Sequence, residues 1–217
     1  SLDGASLITP DTVAKEVFAR RTETFDEQFA IAKAETALIL ELAQQQFDNG
    51  ILAHEIIHRT AGALHGLREK LHSSVWAELI PLVQNHPVSA RFLEDPFTRW
   101  SFEKPRGYSG DAQLLDFIYG HASVADLVNK ASPLGAALYN YTKDASSSVA
   151  VRERRDLLTR FVDEAAAQHG KETEILTIAS GHLREADASV ALKEGGIKRW
   201  VALDQAPLSV GSVARDF

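Results

Sequence analysis

Two short apolar runs constrain this chain more than any other feature: Ile175-Leu176-Thr177-Ile178-Ala179, and Ile197-Lys198-Arg199-Trp200-Val201-Ala202-Leu203-Asp204. Each is too short for a buried helix, and the first is rich in β-branched residues, so both read as strands. Glu185 to Lys193 is patterned as a helix, and Gly195-Gly196 closes it. Strands joined through a helix run parallel, and parallel strands are normally covered on both faces. The expectation is therefore one β-α-β unit whose strands are buried on both sides.

Everything upstream, from residue 10 to about 170, is patterned as helix. Thr9, Pro10 and Asp11 carry the chemistry of a helix start, and Val13, Val17, Phe25, Phe29, Ile39, Leu42 and Phe47 recur as one buried stripe. Further helices are expected over 51–84, 88–94, 109–119, 122–130, 133–143 and 149–169, with prolines 81, 87, 96 and 105 as punctuation. The change of character at His169-Gly170 places the domain boundary there, giving a helical domain over 1–170 and the start of a cofactor-binding domain over 171–217.

The string His54-Glu55-Ile56-Ile57-His58 matches a zinc-protease pattern, so a His-liganded hydrolase must be weighed. On one helix His54 and His58 share a face, but Glu55 projects about 100° away, and His65 lies about 10 Å beyond His58 along the axis. One ion cannot bridge that gap. His58, His65 and His72 each follow an apolar residue at intervals of seven, which reads as a row flanking a buried seam, and no metal is assigned. With no cysteine in the chain, thiolate zinc sites and disulfides are excluded. A net charge of −7 argues against nucleic acid or anionic lipid as a general partner. No apolar run is long enough to span a membrane and no signal-like segment opens the sequence, so the expected location is the cytoplasm.

Gly181 follows the first strand and Asp204 ends the second, 23 residues on. This is the spacing at which a glycine turn admits a nucleotide to the backbone and an acidic residue accepts its ribose hydroxyls. The stretches EILTIASGHLREAD and RWVALDQAPLSV resemble the first two motifs of class I S-adenosylmethionine-dependent methyltransferases. FTRWSFEKPRGYSGDAQLLDFIY resembles the segment that precedes them in a bacterial subgroup associated with 3-hydroxy fatty acid methyl esters. Against the general class pattern, Thr177 stands at an acidic position, and Ala179 and Leu183 replace the outer two of three glycines.

The resemblance, which spans about 97–213, implies a mainly α N-terminal domain followed by the first β-α-β of a Rossmann-like α/β domain, truncated in this chain. It implies S-adenosyl-L-methionine as cofactor, held by the backbone of Ala179, Ser180 and Gly181 near its methionine part, by Asp204 at the ribose, and by Tyr108. Glu185 is a candidate to supply the polar interaction that an acidic residue at position 177 makes in the class pattern. Arg106 and Asp111, on the loop with Tyr108, are the candidate substrate residues; the alternative is a structural turn in which the two pair. A carboxylate acceptor needs no base, whereas a hydroxyl or amine would call on His182 or Tyr108. The implied partner is a small-molecule acceptor, with the carboxylate of a 3-hydroxy fatty acid as the candidate, and a homo-oligomer is compatible with it. The class generally has a seven-stranded sheet, so this chain reads as the N-terminal portion of a methyltransferase, inactive alone. The competing class is a non-enzymatic helical interaction module.

Overall fold

The computed structural model describes the backbone of residues 10–216 and the side chains of residues 24–216. The expected cap Thr9 and the side chains of Val13 and Val17 lie outside the described residues. The chain divides into two compact units, residues 1–92 and 93–217.

The first unit is helical. Helix α1 runs Pro10–Asp48, α2 Ala53–Lys70, α3 Ser73–Asn85 and α4 Ser89–Phe92. The buried stripe of α1 is Ala32, Thr36, Leu40 and Ala43, at steps of three and four. Leu42, expected inside, is 52% exposed. The stripe is built on smaller residues because α2 and α3 both pack against it. Leu40 and Ala43 meet Ile56 and Val88, with Phe47 and Phe92 alongside, while Ala32 meets Val75 and Leu79, with Phe25, Phe29 and Trp76.

The helix expected over 51–84 is two. Leu71 adopts extended backbone, and His72 opens α3 by accepting the Ser74 amide on its ring nitrogen. Pro81 does not punctuate, since α3 continues through it. His54, His58, His65 and His72 are exposed, and Glu55 is bonded to Arg59. Among the described residues, no group of three or more His, Cys, Asp or Glu could hold a metal ion. Among them also, no helix is long and apolar enough to cross a membrane.

The second unit begins with α5, Pro96–Glu103, a helix not expected from the sequence. Asp95 caps it: Oδ1 accepts the Phe97 amide at 2.9 Å, and Oδ2 accepts the Thr98 hydroxyl at 2.6 Å and the Thr142 hydroxyl at 2.9 Å. Helices α6 (Ala112–Tyr119), α7 (Ala125–Asn129) and α8 (Pro133–Lys143) follow, with a 3-10 turn at Ala122–Val124 before α7. Phe117, Val124 and Tyr139 form their shared core with Phe97 and Trp100, and the Tyr139 hydroxyl donates to the Phe117 carbonyl at 2.6 Å.

The long helix α9, Ser146–His169, then leads to strand β1, Glu174–Ile178. Strand β2, Arg199–Leu203, pairs with it in parallel, Glu174 opposite Arg199 and Ile178 opposite Leu203. The β-α-β unit is therefore present, and the described residues are mainly helical with one two-stranded parallel sheet. The compositional change at residue 170 falls inside the second unit, because α9 packs on the connection between the strands.

That connection is broken into α10, Arg184–Ala188, and α11, Val190–Lys193. Asp163 of α9 causes the break: its carboxylate accepts the Ser189 hydroxyl and the amides of Val190 and Ala191, so it caps α11 separately. Helix α12, Pro207–Asp216, follows β2. The strands are not buried on both faces as expected. Leu176 is 60% and Ile178 74% exposed, because residues two apart share one face of the strand and that face is uncovered.

Candidate functional site

The parallel ladder continues one bond past the strands, the Ser180 amide donating to the Leu203 carbonyl at 3.0 Å. The chain then turns back through three residues with positive φ: Ala179 (57°), Gly181 (55°) and Leu183 (53°). These are the three positions at which the methyltransferase pattern carries glycine. Two side-chain-bearing residues thus hold the left-handed conformation that glycine enters without a steric penalty, and each costs about 1–2 kcal/mol for doing so.

Side chains from outside the bend hold it. The Gly181 amide donates to Asp204 Oδ2 at 2.7 Å, while Asp204 Oδ1 accepts the Ala206 amide at 2.8 Å. Asp204 thereby fastens the ends of β1 and β2 together. An ionised carboxylate has about four lone-pair directions, so these two bonds leave it able to accept a pair of ligand hydroxyls.

The bend, Asp204 and the loop before α6 enclose an open cleft of about 590 Å³. Tyr108, Ser109 and Gly110 line it together with Ile178, Ala179 and Gly181 from the end of β1 and Leu203, Asp204, Gln205 and Ser209 from the end of β2 and the start of α12. The volume is within the range of small-molecule sites, about 300–1,000 Å³. Of the cofactor residues read from sequence, Ala179, Gly181, Asp204 and Tyr108 converge here. Ser180 instead lines a second cavity of about 610 Å³ along the open flank of β1, with Tyr119, Arg154, Arg155, Phe161 and Glu185. Leu115, Ile178 and Ala179 are shared between the two cavities. Burial raises the Glu185 carboxyl above its ordinary pKa, and its position on the second cavity separates it from the Asp204 side.

Neither Arg106 nor Asp111 lines the cleft. Asp111 is 2% exposed and caps α6, Oδ1 accepting the amides of Gln113 and Leu114, while Oδ2 accepts the Trp100 ring N–H at 2.9 Å. Arg106 Nε lies 3.8 Å from Asp111 Oδ1, and its Nη atoms donate to Ser209 Oγ and Gln113 Oε1, each at 3.4 Å. The pairing that a structural turn would make is present, and Arg106 ties the Tyr108 loop to the start of α12.

Sequence reasoning misses Asp116. This residue of α6 is fully buried and accepts from four donors: His182 Nδ1 at 2.8 Å, Arg184 Nε at 2.8 Å and Nη2 at 3.0 Å, and Ser123 Oγ at 2.7 Å. Burial pushes its carboxyl up, but the bonds from His182, Arg184 and Ser123 outweigh that and hold it well below the usual carboxylate range. Arg184, also buried, is bonded further to Asp187 and Asp216. The one sequence signal is an acidic residue in the apolar run Leu114-Leu115-Asp116-Phe117-Ile118.

Fold and site together define a mainly helical protein with a β-α-β cleft of small-molecule size. The chain matches no protein-family model, no curated protein and no solved structure.

Proposed function

We propose that the cleft binds the nucleoside part of S-adenosyl-L-methionine and that the protein serves methyl transfer to a small-molecule acceptor. The observation that carries this reading is the Gly181 amide bonded to Asp204 Oδ2 at the floor of a cleft open to both residues. Parallel strands ending side by side, a tight turn after the first and a carboxylate after the second form the arrangement that receives a ribose. The two free lone-pair directions of Asp204 suit the vicinal hydroxyls, and Tyr108, which also lines the cleft, supplies a ring for the base.

The candidate acceptor is the carboxylate of a 3-hydroxy fatty acid. A carboxylate is already nucleophilic at neutral pH, so the protein's contribution is alignment with the electrophilic methyl and exclusion of water. Arg106, which is held by Asp111, Gln113 and Ser209, reaches such a group by exchanging these partners.

Titration calorimetry with S-adenosylmethionine tests the assignment. We expect binding by the wild-type chain and at least a tenfold loss in Asp204→Ala; unaltered affinity in that variant would overturn it. A second reading, a non-enzymatic interaction module, draws on the exposed apolar surface of Leu176 and Ile178 beside the open strand edge. It predicts indifference to nucleosides.

A further inference from the structure

Helix α6 touches the bend at two points one turn apart. Ala112 Cβ stands 3.2 Å from the place a Cβ on Gly181 would occupy, so the helix lies directly against the glycine. Four residues on, and therefore on the same face, Asp116 takes hold of His182 and Arg184, the residues that flank Leu183. The bend is thus gripped on both sides of its last left-handed residue by a single buried carboxylate.

The chemistry of that carboxylate fixes more than position. Ionised, it can only accept, so His182 must present Nδ1 as N–H. In a neutral ring the proton then belongs to Nδ1, and Nε2, which is buried and has no hydrogen-bond partner among the described residues, carries a bare lone pair. The planar fork of Arg184 delivers two parallel bonds through Nε and Nη2, which sets the direction in which the chain leaves the bend for α10.

We propose that Asp116 is the positioning residue of the nucleoside cleft: through His182 and Arg184 it fixes the bend whose Gly181 amide meets Asp204. The inference rests on the reading of the cleft given above, with S-adenosylhomocysteine as the probe ligand. Asp116 does not line the cleft, so its effect on affinity is indirect, through the bend it holds.

Three measurements on this chain test it. Nitrogen-15 NMR of the imidazoles, with the His182 signal identified by its absence from His182→Gln, is expected to show a proton on His182 Nδ1. An Nδ1 without a proton would overturn the proposal without reference to any ligand. Calorimetry with S-adenosylhomocysteine is expected to give at least a tenfold loss of affinity in Asp116→Asn. Asp95→Asn, which removes another buried capping carboxylate of the same unit, should lower the thermal midpoint yet leave affinity within twofold. Should Asp116→Asn fail to fold, Arg184→Lys retains the charge without the fork and is expected to show the same loss. Wild-type affinity in Asp116→Asn or, where that variant does not fold, in Arg184→Lys would overturn the positioning role alone, whereas no binding by the wild-type chain would overturn the reading of the cleft and this role with it.

Discussion

The amide of Gly181 and the carboxylate of Asp204, 23 residues apart in sequence, meet at 2.7 Å across the ends of two parallel strands. This contact helps to hold a bend in which one glycine is joined by two side-chain-bearing residues at positive φ, Ala179 and Leu183. The bend is shaped by what grips it, Asp204 on one side and Asp116 on the other, and less by the freedom of its own backbone.

Ala179 carries the cost of that arrangement, since its φ of 57° is unfavourable for any residue with a Cβ. Ala179→Gly is therefore expected to stabilise the protein by about 0.5–1 kcal/mol, the relief of strain exceeding the entropy of an added glycine. Chemical denaturation reads the change; a drop in stability would show that the conformation at Ala179 is not strained. Leu183 has similar backbone but is 4% exposed, so glycine there forfeits burial and should destabilise.

Glu185 gives a pH-dependent prediction. Burial raises its folded-state pKa above the unfolded value, so the ionised form is penalised in the native protein. The penalty is absent below the unfolded pKa, about 4.3, and complete above the folded one. Glu185→Gln should accordingly raise stability by about 1 kcal/mol at pH 8 and by little at pH 4. Thermal midpoints of both proteins across that range are the check, and a gain that grows on acidification would contradict it.

Gly135 in α8 lies against the backbone of Glu94, where an added Cβ would come within 2.2 Å of the carbonyl oxygen. The approach is held by Ser132, whose hydroxyl bonds to Glu94 Oε2 and to the Gly135 amide. Because the nearest neighbours are backbone atoms, relief requires moving α8, and Gly135→Ala should cost about 2 kcal/mol or more. A denaturation midpoint equal to wild type would show that the helix gives way freely.

Local chemistry makes much of this structure legible. The strands at Glu174–Ile178 and Arg199–Leu203 announce themselves by length and β-branching, and the helix after Ser132-Pro133 by its cap. Helix α5 carries an equally plain signal in Asp95-Pro96, but a proline reads as a break even where, as here, it stands at the first turn. Leu71-His72 divides a continuous apolar pattern, and only the packing of α2 and α3 against α1 shows why the chain turns there.

The site is legible where it depends on spacing and illegible where it depends on tertiary partners. Gly181 and Asp204 are recoverable from their separation. Asp111 stands out for its loop, yet its oxygens are taken up by its own helix and by Trp100. Asp116 escapes notice because nothing within its neighbourhood of sequence reveals that His182 and Arg184, 66 and 68 residues away, complete it.

Since aspartates remote in sequence curve the chain here, the course of its backbone is set from outside the curve rather than by the residues within it. An exchange at position 116 or 204 would therefore redirect the main chain at 179–183 while leaving each letter of that segment in place.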